Sequence, residues 1–171
     1  LSSFGGQAGC KLSSLGKATK WFHIPNWYLL GPFPNERRRN IATAFPPEYG
    51  IDLDATYKGR GGNTIHWEYA SFLDHRIVPA ELDDYTVYYA YTRVWSDKPQ
   101  DVWIAIGSDD RSDVWINRQP VWRSSDLHKP WGAGEGMRRI HLKRGDNTFL
   151  VRIENGWGAG CFSLLVCTEE T

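Results

Sequence analysis

The sequence predicts an all-β fold, an antiparallel β-sandwich of about eight or nine short strands joined by long loops, and three observations lead to it. Apolar and polar residues alternate over short runs, the period-2 signature of strands with one buried face. Clusters of Gly, Pro, Asn and Asp close those runs at short intervals. No stretch carries the 3.6-residue repeat of an amphipathic helix. With 171 residues the chain fits one domain, long enough for a proper core and short for two.

Residues 1–20 are rich in Ser, Gly and Lys with widely spaced apolar residues, and read as a flexible N-terminal arm that orders only against a partner surface. Residues 21–171 read as the single sandwich domain. Residues 26–30 are a short strand ended by Gly31-Pro32-Phe33-Pro34, since two prolines cannot donate to a ladder. Residues 45–62, with Pro46-Pro47 and four glycines, are loop around a brief extended piece at 51–57. Residues 63–70 place Ile65 and Trp67 on one face and His66 and Glu68 on the other. Residues 85–95 carry large side chains on both faces and are expected at the centre of a sheet covered on both sides.

Residues 102–106 and 114–116 flank Gly107-Ser108-Asp109-Asp110, which predicts a β-hairpin with Trp103 and Trp115 on a shared face. Residues 118–136, with Pro120, Pro130 and three glycines, are expected to form a long irregular connection of the kind that carries function. Residues 137–142 and 147–154 flank Lys143-Arg144-Gly145-Asp146, a second hairpin turn. The last strand, 161–167, buries Phe162, Leu164 and Val166 and leaves Cys161 and Cys167 on the other face, where the arm is expected to cover them.

Twenty basic residues balance twenty acidic ones, which argues against a general nucleic-acid or anionic-membrane binder, because both need clustered positive charge. The one basic run, Arg37-Arg38-Arg39, reads as a solvated turn. No stretch approaches the roughly 20 apolar residues of a membrane span, so membrane insertion is not expected. The chain opens on Leu1 without a charged start or an apolar run, as a processed protein or an excised module would. Richness in Trp, Gly and Asn with a single Met suits an extracellular or cell-surface protein. The three cysteines lack metal-ligand spacing. Cys161 and Cys167 on one strand would stand about 20 Å apart at ~3.3 Å per residue, too far to bond each other. Cys10 is then the intrachain disulfide candidate for either, leaving one thiol free or available between chains.

Asp109, Asp110 and Asp113 put three acids within five residues. They form a solvated turn, a hard-cation site for which calcium is the preferred ion, or a direct contact with a polar ligand. Aromatic residues make up 14% of the chain, with nine Trp, more than a core alone needs. The tetrapeptide Trp-Gly-Ala-Gly occurs at 131–134 and again at 157–160, and Trp122 lies in the same region. A Trp flanked by glycines lacks neighbouring side chains to cover it and sits on backbone that can bend towards a partner. The flat face of an indole suits the C–H face of a pyranose, with carboxylates and amides alongside to meet its hydroxyls. Trp122, Trp131, Trp157, Asn155 and Arg111 are therefore the candidate ligand-binding residues.

The order of several segments adds a resemblance. Trp27-Tyr28-Leu29-Leu30-Gly31-Pro32-Phe33, Pro46-Pro47-Glu48, Gly107-Ser108-Asp109-Asp110 with Val114-Trp115-Ile116-Asn117, and Trp157-Gly158 before Phe162-Ser163-Leu164 resemble the galactose-binding-like jelly-roll modules. These are related to the protective-antigen lectin-type domain and accompany secreted bacterial carbohydrate-active enzymes. The likeness spans roughly residues 26–166 and implies a jelly-roll fold and a noncatalytic sugar-binding or cell-surface module. In the lectin-type branch an adjacent Asp pair coordinates calcium, and Asp109 and Asp110 match it. The pattern departs at Arg111 and Arg118, where Gly is usual, and Arg111 could itself neutralise the acids.

The expected function is a noncatalytic extracellular carbohydrate-binding module, calcium-dependent if the acid pair holds the ion, with a glycan as partner. The alternative is a structural subunit of an extracellular self-assembling polymer or surface layer, whose partners are other copies of itself. It is motivated by the Cys-bearing arm, the odd cysteine and the aromatic surface. A hydrolase needs paired carboxylates in distinct environments or a nucleophile beside its base. Asp109 with Glu154 and His128 with Asp126 are the pairs on offer, and no Ser or Cys nucleophile motif supports them.

Overall fold

The structure, a computed structural model, describes residues 2–3, 11–12, 21–79, 82–125 and 127–169. Within residues 21–169 the strands are β1 (Phe22–His23), β2 (Asn26–Pro34), β3 (Thr56–Lys58), β4 (Thr64–His66), β5 (Glu68–Ser71), β6 (Thr86–Ser96), β7 (Gln100–Asp109), β8 (Arg111–Ile116), β9 (Gln119–Arg123), β10 (Gly136–Leu142), β11 (Gly145–Asn155) and β12 (Cys161–Glu169). The first sheet has the order β9-β8-β11-β6-β2-β5. The second has the order β10-β7-β12 with β1 also on β12, and β3 pairs with β4. All these pairings are antiparallel. Of the arm, Ser2–Ser3 pair parallel with β6 and Lys11–Leu12 parallel with β12. Cys10 lies outside the described residues.

The two sheets face each other over one core. Alternate residues of β6, β7, β11 and β12, among them Tyr88, Ala90, Ile104, Ile106, Val151, Ile153, Phe162 and Leu164, point inward and are buried. Trp27 closes one flank, edge-on to Phe162 at 5.3 Å, with its indole N–H on the Ile24 carbonyl at 2.8 Å. The opposite residues of β6, Val87, Tyr89 and Tyr91, belong to a second apolar layer on the outer face of the first sheet, with Phe33, Ile65 and Trp67. The 85–95 segment is thus central and covered on both sides, as its composition predicts.

Two expected hairpins are instead crossings between sheets. β7 belongs to the second sheet and β8 to the first, so the chain changes layer at Asp109-Asp110, whose peptide is cis. Val102, Ile104 and Ile106 therefore meet Val114 and Ile116 from opposite sides of the core, and Trp103 and Trp115 lie on opposite outer faces of the sandwich. The same holds at Lys143-Arg144, between β10 and β11. Period-2 alternation records which residues face the core and is silent on which sheet they face it from. Conversely, part of the expected irregular connection is a hairpin. β8 and β9 pair around Asn117-Arg118, both with positive φ (50° and 67°), the geometry of a tight primed turn. Arg is not the residue that announces such a turn, and Pro120 is tolerated because β9 is an edge strand.

On the outer face of the first sheet, two charged residues of β11 hold down the segment 35–48. Arg152, 3% exposed, donates to the carbonyls of Thr43, Asn40 and Ile41 at 2.7, 2.9 and 3.0 Å and to Glu48 Oε1 at 2.8 Å. Tyr89 O–H donates to the same Glu48 oxygen, and burial holds that phenol well above its usual range, so it stays a donor. Glu154 accepts Asn35 Nδ2 and both Nε and Nη2 of Arg38, each at 2.8 Å. Arg38 is accordingly a paired residue, not part of a solvated turn.

Candidate functional site

The loops of interest gather at one end of the sandwich. The end of β7, the start of β8, the end of β11 and the start of β12 meet there, with the connections 124–135 and 156–160. Asp110 is the knot. It is fully buried, its Oδ1 lies 2.5 Å from His128 Nδ1 and accepts the Lys129 backbone N–H at 3.1 Å, and its Oδ2 accepts the Gly156 N–H at 2.7 Å. One carboxylate thus fixes both connections to the crossing, with donors matched to its two oxygens.

Asp109 turns to the surface. With His128, Lys129, Pro130, Trp157 and Ala159 it lines an open cavity of about 290 Å³. Burial first, and then the charge of Asp110, hold the Asp109 carboxyl above the usual carboxylate range, while His128 and Lys129 pull the other way. Lys129 Nζ is anchored by the Ser108 carbonyl at 2.5 Å and Glu135 Oε2 at 2.6 Å. Trp157 is 52% exposed. The His128 imidazole packs on it with ring centres 3.9 Å apart, and Tyr85 stands at 6.2 Å. An exposed indole, an acid, an imidazole and an ammonium therefore share one concave surface.

The other sequence-predicted residues divide. Asn155 is buried at the end of β11, where Nδ2 donates to the Asp83 carbonyl at 2.9 Å and Oδ1 has no partner among the described residues. Trp131 lies across the second sheet, half-buried, with its N–H on Ser163 Oγ at 3.2 Å and Arg76 over its ring at 5.4 Å. Gly107 is required beneath it, because a Cβ there would come within 2.2 Å of the Gly132 carbonyl oxygen. Trp122 seals the core between β9 and β10, its N–H on Ser112 Oγ at 3.2 Å and Arg138 over its ring at 4.8 Å. Of the three loop tryptophans, only Trp157 presents itself outward.

Arg111 is buried and lies 3.3 Å from Asp113, which also pairs with Arg123 at 2.9 Å. The expected neutralisation by Arg111 thus falls on Asp113, and these residues stand apart from the Asp109 cavity. Glu154, bonded to Arg38 and Asn35, does not form a carboxylate pair with Asp109, and Asp126 lies outside the described residues. Cys161 is buried and free, with Arg76 Nε 3.2 Å from its sulfur. Cys167 is disulfide-bonded.

Asp109, Asp110 and Asp113 do not converge, and among the described residues no group of three or more His, Cys, Asp or Glu side chains could hold a metal ion. The oxygen donors at this end are Asp109, Asp110 and the partnerless Oδ1 of Asn155, with Asp110 already engaged by protein donors. His128 and Lys129 are the site residues that sequence reasoning left out of the ligand set. Their signal is a His-Lys pair before Pro130, in a connection that has to return to the acids.

No family model matches the chain, and no curated protein matches it. Its likenesses are to solved structures. A β-glucosidase from Kluyveromyces marxianus superposes with a TM-score of 0.48 at 11% identity, over 84% of this chain and 14% of that one. A family 35 carbohydrate binding module from Clostridium thermocellum gives 0.36 at 14% identity, over 56% and 89%. The epithelial adhesin 9 A domain from Candida glabrata, in complex with Galβ1-4GlcNAc, gives 0.42 at 10% identity, over 92% and 84%. The chain thus spans about one seventh of the β-glucosidase. At these scores and identities the matches assign this chain neither a family nor a ligand. Among the described residues no helix is long and apolar enough to cross a membrane.

Proposed function

We propose that the protein is a noncatalytic extracellular module that binds a glycan at the loop end of the sandwich. The observation that carries the reading is the pairing of the half-exposed Trp157 with the Asp109 carboxylate across one open cavity. An indole face packs on the apolar C–H face of a sugar ring, and a carboxylate with an adjacent ammonium accepts from and donates to its hydroxyls. The neutral charge balance gives no overall basic excess to favour nucleic acid.

Calcium belongs to this proposal in a narrower form than the sequence suggests. Asp109 and Asp110 are the acids that would hold it, in competition with His128 and the Lys129 and Gly156 N–H groups that already occupy Asp110; Asp113 is committed to arginines. When bound, the ion would neutralise the acid pair and offer open positions to sugar hydroxyls.

Glycan-array screening followed by calorimetry on the best ligand tests both. Trp157→Ala and Asp109→Asn are each expected to weaken binding about tenfold or more, the loss of roughly 1.4 kcal/mol or more; two variants that bind as well as the parent would end the proposal. The same titrations run with calcium and with a chelator are expected to differ for the parent and to coincide for Asp110→Asn. Identical parent curves would remove the ion and leave the glycan.

A further inference from the structure

A second cavity, of about 280 Å³, lies on the outer face of the first sheet, far along the strands from the loop end. Its floor is a row of direct cross-strand neighbours. Trp115 of β8 stands opposite Leu150 of β11, and Leu150 opposite Tyr91 of β6. Two interstrand spacings of ~4.8 Å make that floor about 10 Å long, and side chains in one such row share one face of the sheet. Pro47, Glu48, Gly50 and Ile51 form one wall, and Arg118 and Thr148 complete the rim.

The polar groups around this floor are held in place and incompletely used. Glu48 Oε1 is taken by Arg152 and Tyr89, and this fixes the side chain, but among the described residues Oε2 makes no hydrogen bond. The same is true of the Tyr91 hydroxyl and of Thr148 Oγ1, although Thr148 is fixed through its backbone to Asn117. Arg118 keeps one weak bond, Nη2 to the Tyr49 carbonyl at 3.3 Å, and among the described residues pairs with no carboxylate. A half-buried indole and a tyrosine ring on a flat floor, with an acid, two hydroxyls and a guanidinium at the edge, match a ring with one apolar face and hydroxyls around its rim.

We infer that this cavity is a second carbohydrate site, taking one or two neutral pyranose rings laid across Trp115, Leu150 and Tyr91. The module then has a glycan site on its side as well as at its end, and two sites on one rigid body hold a polymer, or two polymers, more tightly than either does alone. The side site rests on its own residues and does not need the loop-end site to be right.

The test is amide and indole resonance mapping of the whole chain, titrated separately with cellobiose, lactose, mannobiose and maltose. At least one disaccharide is expected to shift the Trp115 indole N–H together with the Thr148 and Leu150 amides, saturably. Thr148→Val is expected to weaken that set of shifts about fivefold, the worth of one hydrogen bond, and Trp115→Ala to abolish the remaining Thr148 and Leu150 amide shifts, with the resonances of Asp109 and Trp157 following their own curve in both variants. Arg118→Ala, at an exposed position, serves if Trp115→Ala does not fold. The inference is overturned if no disaccharide moves the three side-site signals, or if their shifts persist unchanged in Thr148→Val and Arg118→Ala. Loss of shifts in Asp109→Asn at the loop end alone would speak to the first site and leave the second standing.

Discussion

Arg152→Met should destabilise the fold by roughly 3–5 kcal/mol, the cost of breaking a buried pair by removing one partner. The methionine fills most of the space, so the loss is not a cavity. What goes is a guanidinium that satisfies three carbonyls and Glu48 at once, and what remains is a carboxylate facing the Tyr89 phenol alone. The segment 40–48 is otherwise held by Phe45 stacked on Phe33 at 4.6 Å, by the buried Pro47 and by the Asn40 bonds to Asn35 and the Pro34 carbonyl. Urea unfolding followed by tryptophan fluorescence measures the loss. A cycle with Glu48→Gln separates the ion pair from the carbonyl contacts, and the double variant should lie well short of the sum of the singles. A cost under about 1 kcal/mol, in the range of an exposed pair, would show that the segment stays in place by its apolar contacts.

Asp110→Ala should cost roughly 3–4 kcal/mol, because the residue is fully buried and leaves the N–H groups of Lys129 and Gly156 without an acceptor. Each buried donor so orphaned costs about 1–3 kcal/mol. The effect should be local in character. Hydrogen exchange at the Lys129 and Gly156 amides should accelerate far more than exchange in β6 and β11, as both connections come loose from the crossing. Equal acceleration everywhere would mean the carboxylate supports the sandwich as a whole and has no particular hold on the loop end.

Much of the layering was legible in the residues. The two-sided burial of residues 86–92 follows from large side chains on both faces of the strand, and the inward set Phe162, Leu164 and Val166 from simple alternation. What alternation could not supply is the identity of the partner strand. Val102 to Ile106 and Val114 to Ile116 look the same whether they fold on each other in one sheet or across the core from two, and the polar residues between them serve a crossing as well as a turn. The true hairpin at Asn117-Arg118 escaped because its left-handed residues include an arginine in place of glycine.

The site was legible in part for a related reason. Asp109 and Trp157 were chosen by residue type, and they line one cavity, while Asp110 is buried and held by protein donors. Trp122, Trp131 and Arg111 have the same chemistry but are consumed by the structure, each through a partner distant in sequence or hidden by the fold: Ser112 and Arg138, Ser163 and Arg76, Asp113. A side chain's type says what it can bind. Only the packing says whether it is still available.

The repeated passage of the chain from layer to layer has a consequence for how the molecule is made. From β6 onward, all but one of the successive strands lie in opposite layers, so most ladders there join strands that emerge far apart, such as β7 with β12 and β2 with β6. Such wiring rewards the chain late, after long loops have closed, and places this domain among slow folders, on millisecond-to-second scales. It also means that a cut between β9 and β10 leaves neither fragment with a finished layer, since β7 is parted from β10 and β12 and β8 and β6 are parted from β11, so the two fragments should stay unstructured until they are mixed.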